Sequence, residues 1–171
     1  MNYFDVLKIP KSYKICTQTL RKNFYILQKK YHPDNNLNKN ISNIKKKNKK
    51  SMLVNEAYQV LKNFITRAEY FLSLNGFILS KQEKLKYDKD FLLQQIKTFN
   101  YLKQLKKNIK KKKILDFKKK IYDLCKHYKK KIYKEIDKNK FEKAIITLLK
   151  VKFFYKIRKK IKKLIDKILL I

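Results

Sequence analysis

The sequence predicts an all-α protein. It has 171 residues, of which one is glycine and two are proline, too few for the tight turns of an all-β fold. Apolar residues instead recur at the i, i+3, i+4, i+7 spacing of helices over long stretches of the chain. The hydrophobic content of 44% is enough to build buried cores in one or two small domains.

The first two predicted helices are marked by their ends. Residues 2–8 can form a short helix, and Thr17 or Thr19 can provide the N-cap of a second one. The second helix must end near His32, because Pro33 lacks a backbone N–H and its ring keeps the preceding residue out of the α region. The buried stripe of this helix is formed by Leu20, Phe24, Leu27 and Tyr31.

Two more helices complete the predicted N-terminal domain. The asparagine-rich residues 34–43 are predicted to be a loop, and the fourth helix is predicted to run from about Ile65 to Leu74. Gly76, the only glycine of the chain, follows at a position where a helix C-terminus favours a positive φ. The third helix is marked near its end by Val54, Ala57, Tyr58 and Leu61.

A second domain is predicted to follow a linker. We assign residues 1–76 to the first domain, 77–90 to the linker and 91–171 to a three-helix domain, because the stretch before residue 91 shows little periodicity. Three amphipathic helices joined by short connections form a bundle, and we interpret each apolar seam as core. The seams are Leu92, Ile96, Phe99 and Leu102; Ile114, Phe117, Ile121, Leu124 and Tyr128; and Phe154, Ile157, Ile161, Leu164 and Ile168.

The formal charge of +34 leaves two interpretations open. It arises from 47 basic and 13 acidic residues, and so basic a chain can bind nucleic acid. Only three of the basic residues are arginine, the residue that base-edge recognition and phosphate clamps favour. Lysine, asparagine, isoleucine, tyrosine and phenylalanine, all frequent in this chain, share A+T-rich codons. Drift of the gene towards A+T would therefore produce this composition whatever the function of the protein. We favour drift and keep a basic helical nucleic-acid-binding protein as the alternative.

The sequence indicates no metal site, cofactor or membrane segment. Cys16 and Cys125 are far apart and fit no zinc-binding spacing, and His127 is isolated among lysines, as expected of a surface residue. The N-terminus lacks the pattern of a signal peptide, and no stretch approaches the roughly 18–20 apolar residues of a membrane span. The last helix could lie on a membrane surface, but its seam continues the bundle pattern. We therefore expect a cytoplasmic protein.

The triplet His32-Pro33-Asp34 gains its meaning from its surroundings. Alone it is a weak signal, since so short a motif arises by chance. The segments "YFDVLKIP", "LRKNFYILQKKYHPD" and "VNEAYQVL", taken together, resemble the J-domain of co-chaperones. In that fold two antiparallel helices pack together and present a His-Pro-Asp loop at their tip.

The resemblance extends over essentially the whole chain. The segments "NYFDVLKIPKSY" and "RAEYFLSLNG" and the basic three-helix extension resemble the HscB family, the specialised co-chaperones of iron–sulfur cluster assembly. No paired-cysteine zinc element precedes the J-domain, which is typical of the bacterial form. The resemblance implies a co-chaperone that is not itself an enzyme. Its implied partners are an HscA-type chaperone ATPase, which it stimulates, and an IscU-type iron–sulfur scaffold protein, which it delivers.

The resemblance implies a chaperone-binding surface around the triplet. The predicted residues are His32, Pro33, Asp34, Arg21, Lys22, Lys29 and Lys30. The fixed φ of Pro33 reduces the entropy lost on docking, and Asp34 suits a charge-assisted pair with a chaperone arginine. Lys22 and Lys29 are seven residues apart and share one helix face, which can steer the corner towards an acidic partner. A merely solvated basic face is the alternative.

The resemblance also implies a scaffold-binding patch on the first and last helices of the extension. The predicted residues are Leu92, Leu93, Ile96 and Phe153. Leu92 and Ile96 fit the core seam as well, so burial in the bundle is the alternative for them. Phe153 departs from the seam of its helix, so we expect it to be an exposed aromatic anchor. The chain departs from the family pattern at two nearby positions where acids are expected, Lys97 and Asn100.

Overall fold

The structure is a computed structural model that describes residues 2–32, 41–78 and 89–168, except for the side chains of residues 41–43. It divides into two units, Met1–Leu74 and Asn75–Ile171. Every regular element within the described ranges is a helix, which confirms the all-α prediction. The predicted linker falls largely outside these ranges, so its boundaries remain a prediction. The helices are α1 (Tyr3–Val6), α2 (Thr17–Tyr31), α3 (Ile41–Lys62), α4 (Phe64–Ser73), α5 (Lys89–Lys107), α6 (Lys111–Asp137) and α7 (Phe141–Ile168).

A capping box holds the short helix α1. The Asn2 side chain accepts hydrogen bonds from the backbone N–H groups of Phe4 at 2.9 Å and Asp5 at 3.1 Å. The Asp5 carboxylate in turn accepts from the Asn2 N–H at 3.1 Å. A helix of one turn is unstable alone, so α1 needs tertiary packing in addition to its cap. Phe4 and Leu7 supply that packing, because both are fully buried.

Helices α2 and α3 form an antiparallel hairpin through the two predicted stripes. Phe24 stacks on Tyr58 with ring centroids 3.9 Å apart, and Gln28, one turn later in α2, donates to Asn55, earlier in α3. The predicted stripes are confirmed, because their members line the core of this unit. The buried members are Leu20, Leu27, Val54, Ala57 and Leu61, and the partly buried ones are Phe24, Tyr31 and Tyr58.

Two helix starts differ from the prediction. The N-cap of α2 is Cys16, whose backbone is extended and whose carbonyl accepts the first helical hydrogen bond at 3.0 Å. Thr17 is already helical, so neither it nor Thr19 is the cap; the sequence favoured the threonines because cysteine is not a preferred N-cap residue. Helix α3 begins at Ile41, inside the segment predicted to be a loop. Residues 34–40 of that segment lie outside the described ranges.

Helix α4 begins and ends at residues that suit helix termini. The Asn63 side chain accepts a hydrogen bond from the Ile65 N–H at 2.8 Å and caps the first turn. After the helix, Gly76 adopts a φ of 83°, a conformation that residues with a side chain rarely adopt. The predicted role of this glycine is therefore confirmed.

Arg67 on α4 is a buried charge that joins three segments of the first unit. Its side chain is only 4% exposed. Its Nε donates to the Tyr13 carbonyl at 3.2 Å, and its Nη1 donates to the Leu61 carbonyl at 2.5 Å. The guanidinium carbon also lies 5.8 Å from the centroid of the Tyr13 ring. The loop before α2, the end of α3 and helix α4 are thus held by one side chain.

In the second unit, α7 packs against both α6 and α5. The seams predicted for α6 and α7 are confirmed, since all their members contribute to one hydrophobic core. The buried members are Ile114, Phe117, Ile121, Phe154, Ile157, Ile161 and Leu164, and the partly buried ones are Leu124, Tyr128 and Ile168.

The seam predicted for α5 is wrong except at its last member. Leu92, Ile96 and Phe99 are 49%, 49% and 40% exposed. The face that packs into the bundle carries instead Phe91, Leu102 and Leu105. Thr98 lies half-buried on that same face, between Phe91 and Leu102. The prediction chose the more apolar face of α5, whereas the structure buries a face that contains a polar residue.

We expect Arg67→Ala to lower the free energy of unfolding of the first unit by about 3 kcal/mol. The substitution leaves two buried carbonyls without their charged donor and also opens a cavity. Urea unfolding followed by circular dichroism measures the change. Lys49→Ala is the control, because Lys49 is exposed and its loss should cost less than about 0.5 kcal/mol. Equal midpoints for the two variants would contradict the role given to Arg67.

Candidate protein-binding surfaces

The exposed face of α2 is basic with an apolar centre. Lys22 and Lys29 lie on it as predicted, and Tyr25 and Ile26 lie between them at i+3 and i+4 from Lys22. Tyr25 and Ile26 are each 56% exposed. The Arg21 guanidinium lies 5.6 Å from the centroid of the Tyr25 ring, and a hydrogen bond with Tyr25 raises the pKa of Arg21. We call the surface formed by Arg21, Lys22, Tyr25, Ile26, Lys29 and Lys30 the basic face.

Sequence reasoning missed Tyr25 and Ile26. Neither belongs to the buried stripe of α2, and that displacement from the stripe is the signal that could have identified them as surface residues. Apolar side chains that are more than half exposed and flanked by lysines are typical of the centre of a protein interface.

The corner that follows α2 begins at His32. Helix α2 ends at Tyr31, and His32 is exposed with φ −61° and ψ 136°, an extended conformation. The residue before a proline favours this conformation, so the predicted end of the helix is confirmed. The Nζ atoms of Lys30 and Lys50 lie 5.8 Å and 5.6 Å from the centroid of the Tyr31 ring, which makes this end of the hairpin basic. Pro33 and Asp34 lie outside the described residues.

Helix α5 presents an exposed apolar face. Leu92, Leu93 and Ile96 are 49%, 53% and 49% exposed, so the alternative that Leu92 and Ile96 are bundle core is wrong. Phe99 continues this face, because positions 92, 96 and 99 lie at i, i+4 and i+7. We call the surface formed by Leu92, Leu93, Ile96 and Phe99 the apolar patch.

Phe153 lies beneath the apolar patch and is not an exposed anchor, so that expectation is wrong. Its side chain is 9% exposed, and its ring packs edge-on against Phe99 at 5.3 Å and Phe91 at 5.8 Å between centroids. The physical reason is that α7 contacts two neighbours. Phe154 belongs to the seam shared with α6, and the adjacent Phe153 faces α5. The seam of α7 identifies the residues that pack against α6, but it does not identify those that pack against α5.

The two cysteines are free and lie in opposite environments. Cys16 is exposed, and the Thr19 hydroxyl, followed by the backbone N–H groups of Thr19 and Gln18, favours the thiolate and lowers the pKa of Cys16. Cys125 is buried, and the loss of hydration raises the pKa of its thiol to about 11, an effect that the charge of Arg158 opposes. Thiolates react and thiols do not, so the two side chains differ in chemistry as well as in exposure.

Other chemistry finds little support within the described residues. In those ranges, no three His, Cys, Asp or Glu side chains come together as a metal site would require. His127 is exposed, which confirms its prediction as a surface residue. None of the described helices combines the length and the hydropathy of a membrane span. The surfaces with a definite chemical character are therefore the basic face and the apolar patch.

Comparison with known protein families accounts for both units. Residues 2–70 match the family described as "DnaJ domain", and residues 87–162 match the family described as "HSCB C-terminal oligomerisation domain". The chain is 37% identical over 164 residues to the co-chaperone protein HscB of Buchnera aphidicola subsp. Acyrthosiphon pisum, strain APS. That alignment covers 95% of this chain and 94% of the relative. These matches do not favour a nucleic-acid-binding protein.

Solved structures show the same arrangement of helices. The chaperone HscB from Vibrio cholerae superposes with a TM-score of 0.87 at 26% identity, over 98% of this chain and 99% of that chain. The human co-chaperone protein HscB superposes with a TM-score of 0.86 at 23% identity, over 95% and 81% of the two chains. The human protein is similar in fold alone.

We expect Phe153→Ala to lower the free energy of unfolding by about 3 kcal/mol, because it removes a buried ring from an aromatic cluster. Leu92→Ala and Leu93→Ala should each cost less than about 0.5 kcal/mol, because both side chains are half exposed. Urea unfolding followed by circular dichroism measures the loss of stability in each variant. A Leu92→Ala variant as unstable as Phe153→Ala would show that the α5 face is assigned wrongly.

We expect an alkylating reagent to label one thiol per folded chain, at Cys16. The lowered pKa of Cys16 means that its labelling rate should reach half of its maximum at a lower pH than for an unperturbed cysteine. Cys125 should react only after denaturant is added, since it is buried with a raised pKa. Mass spectrometry counts the labels, and Cys16→Ser should remove the fast one. Two rapidly labelled thiols in the folded chain would contradict these environments.

Proposed function

Because the chain belongs to the HscB family of J-domain co-chaperones, we propose that it stimulates the ATPase of an HscA-type chaperone and delivers an IscU-type iron–sulfur scaffold protein to it. The observation that carries this proposal is the basic face of α2, which ends at the extended His32 with Pro33 and Asp34 next in sequence. The protein acts as an adaptor and performs no covalent chemistry of its own. We infer a cytoplasmic location, where free thiols such as Cys16 persist.

The basic face suits a first encounter with an acidic chaperone surface. Lys22 and Lys29 raise the rate of association through long-range attraction, which salt weakens. Tyr25 and Ile26 add an apolar centre that holds the complex after the encounter, so affinity does not depend on charge alone. Lys30, in the last turn of α2, also interacts favourably with the helix C-terminus and stabilises that turn.

Stimulation of the ATPase requires more than attachment. A ligand shifts a chaperone between two conformations only if it binds one of them more tightly. His32 can donate or accept a hydrogen bond, and Asp34 can pair with an arginine, so both are suited to contacts that exist in one state only. The fixed φ of Pro33 limits the freedom that the corner loses on docking.

The apolar patch suits the scaffold protein. Leu92, Leu93 and Ile96 expose about half of their surface next to one another on one stable helix, and such clusters mark interaction sites. Phe153 supports this patch from below and contributes to binding through the position of α5. Since one chain carries both surfaces, a scaffold bound to the second unit is present at a high effective concentration near a chaperone bound to the first.

We expect His32→Gln to reduce the single-turnover ATPase rate of the HscA-type chaperone to its unstimulated value. The substitution removes the imidazole and leaves α2 intact, since α2 ends at Tyr31. His127→Gln is the matched control, because His127 is exposed on the other unit and should leave stimulation unchanged. Circular dichroism verifies that both variants fold. Full stimulation by His32→Gln would refute the proposed role of the triplet.

A further inference from the structure

We propose that Phe99 is the aromatic anchor of the scaffold-binding surface, and that this surface selects a partner face with an apolar centre bordered by carboxylates. The proposal rests on the proposed function, because it takes the scaffold protein as the occupant of the apolar patch. It adds a contact residue outside the predicted set and specifies the chemistry of the partner.

Phe99 is exposed and yet held in position. Its ring is 40% exposed, on the same side of α5 as Leu92 and Ile96. The buried Phe153 packs edge-on against it at 5.3 Å, and Lys160 Nζ lies 4.8 Å from its centroid. A ring supported by a core residue and an ammonium group has little rotational freedom to lose when a partner binds. Rigid, partly exposed aromatic side chains of this kind dominate many interfaces.

The border of the apolar patch is basic. Lys103 follows Phe99 by one turn, and Lys97 follows Leu93 by one turn. Lys160 reaches the patch from α7. Helix α5 carries five lysines, and its one acidic residue, Asp90, lies in the first turn. A partner whose apolar face is bordered by lysines would be repelled by the lysines of this border. The partner must therefore bring carboxylates to the border.

The same charges argue against a second copy of this chain as the occupant. Two copies that met through their apolar patches would bring Lys97, Lys103 and Lys160 of each copy together. Like charges at an interface are unfavourable, and the net charge of +34 adds to the repulsion. The scaffold protein is the occupant that fits, and self-association is an outcome that the experiment can detect.

Tyr101 provides a matched control on the same helix. It is 39% exposed, lies roughly 200° around α5 from Phe99 and packs on Phe117 at 5.0 Å. It lines a groove of about 850 Å³ between α5 and α6, which Phe117 lines on the α6 side and Leu93 and Lys97 line at the edge of the apolar patch. A partner that docked in this groove would contact Tyr101, whereas a partner centred on Phe99 would lie on the opposite side of α5 from Tyr101.

Calorimetric titration of the full chain with the metal-free IscU-type scaffold of the same organism tests the anchor. We expect Phe99→Ala to raise Kd at least about fivefold and Tyr101→Ala to leave it within about twofold. Thermal unfolding controls for loss of structure in both variants. An unchanged Kd for a folded Phe99→Ala, or an equal loss in Tyr101→Ala, overturns the proposal.

Charge variants test the partner chemistry without touching the aromatic cluster. Lys97→Glu should raise Kd and flatten its dependence on salt, whereas Lys126→Glu, an equal change in net charge on α6, should do neither. If both variants changed Kd equally, the effect would come from net charge and not from the lysines at the border of the patch, and their specific role would be overturned. Sedimentation of the chain without scaffold detects self-association as a dependence on protein concentration. If the wild type shows this dependence and Phe99→Ala abolishes it, the patch binds a second copy of the chain and the proposal is overturned. Wild-type protein that fails to bind the scaffold would refute the proposed function itself.

Discussion

The packing of α7 against two neighbours at once is the constraint on which the second unit depends. A helix that contacts two others needs apolar side chains towards each of them, and α7 supplies these with adjacent residues. Phe153 packs on Phe99 of α5. Phe154 stacks on Tyr128 of α6 and also contacts Phe91 of α5. Helix α5 buries the face that carries Phe91 and Leu102, and Tyr101 packs on Phe117 of α6. The remaining apolar residues of α5 therefore face solvent. The apolar patch is a consequence of this arrangement, since α5 has more apolar surface than α6 and α7 bury.

The first unit separates stability from recognition in a similar way. The stripes of α2 and α3 bury one another, and Arg67 joins the loop before α2 to the end of α3 with two hydrogen bonds from a buried guanidinium. These contacts lie away from the exposed side of α2, which carries Tyr25 and Ile26. Substitution on the exposed side can thus alter the choice of partner without loss of the fold. His32 directly follows the last residue of a rigid helix, so α2 fixes where its backbone lies.

The sequence predicts this fold wherever one element has one apolar face. The stripes of α2, α3 and α6 are of that kind, and Gly76 follows from the backbone geometry of a helix end. Prediction fails where an element has two apolar faces, because periodicity does not say which of them meets a neighbour. For this reason Leu92, which fits both the seam and the scaffold-binding patch, is exposed, and Phe153, expected at the surface, is buried. The sequence does not reveal the role of Arg67, because its partners are backbone carbonyls, which have no signature in sequence.

The lysine-rich composition acts on structure through local contacts as well as through net charge. The Nζ atoms of Lys62, Lys150 and Lys160 lie 5.4 Å, 5.1 Å and 4.8 Å from the ring centroids of Tyr58, Phe91 and Phe99. Each contact of this kind contributes about 0.5–1 kcal/mol at an exposed site, and the methylene stem covers apolar surface besides. A gene that drifts towards lysine codons can therefore keep its fold. Its interfaces are affected differently, because each added lysine at the border of a docking surface favours a carboxylate on the partner. Drift towards lysine in this chain thus favours compensating carboxylates in the scaffold protein. We expect these carboxylates on the scaffold surface that contacts Phe99.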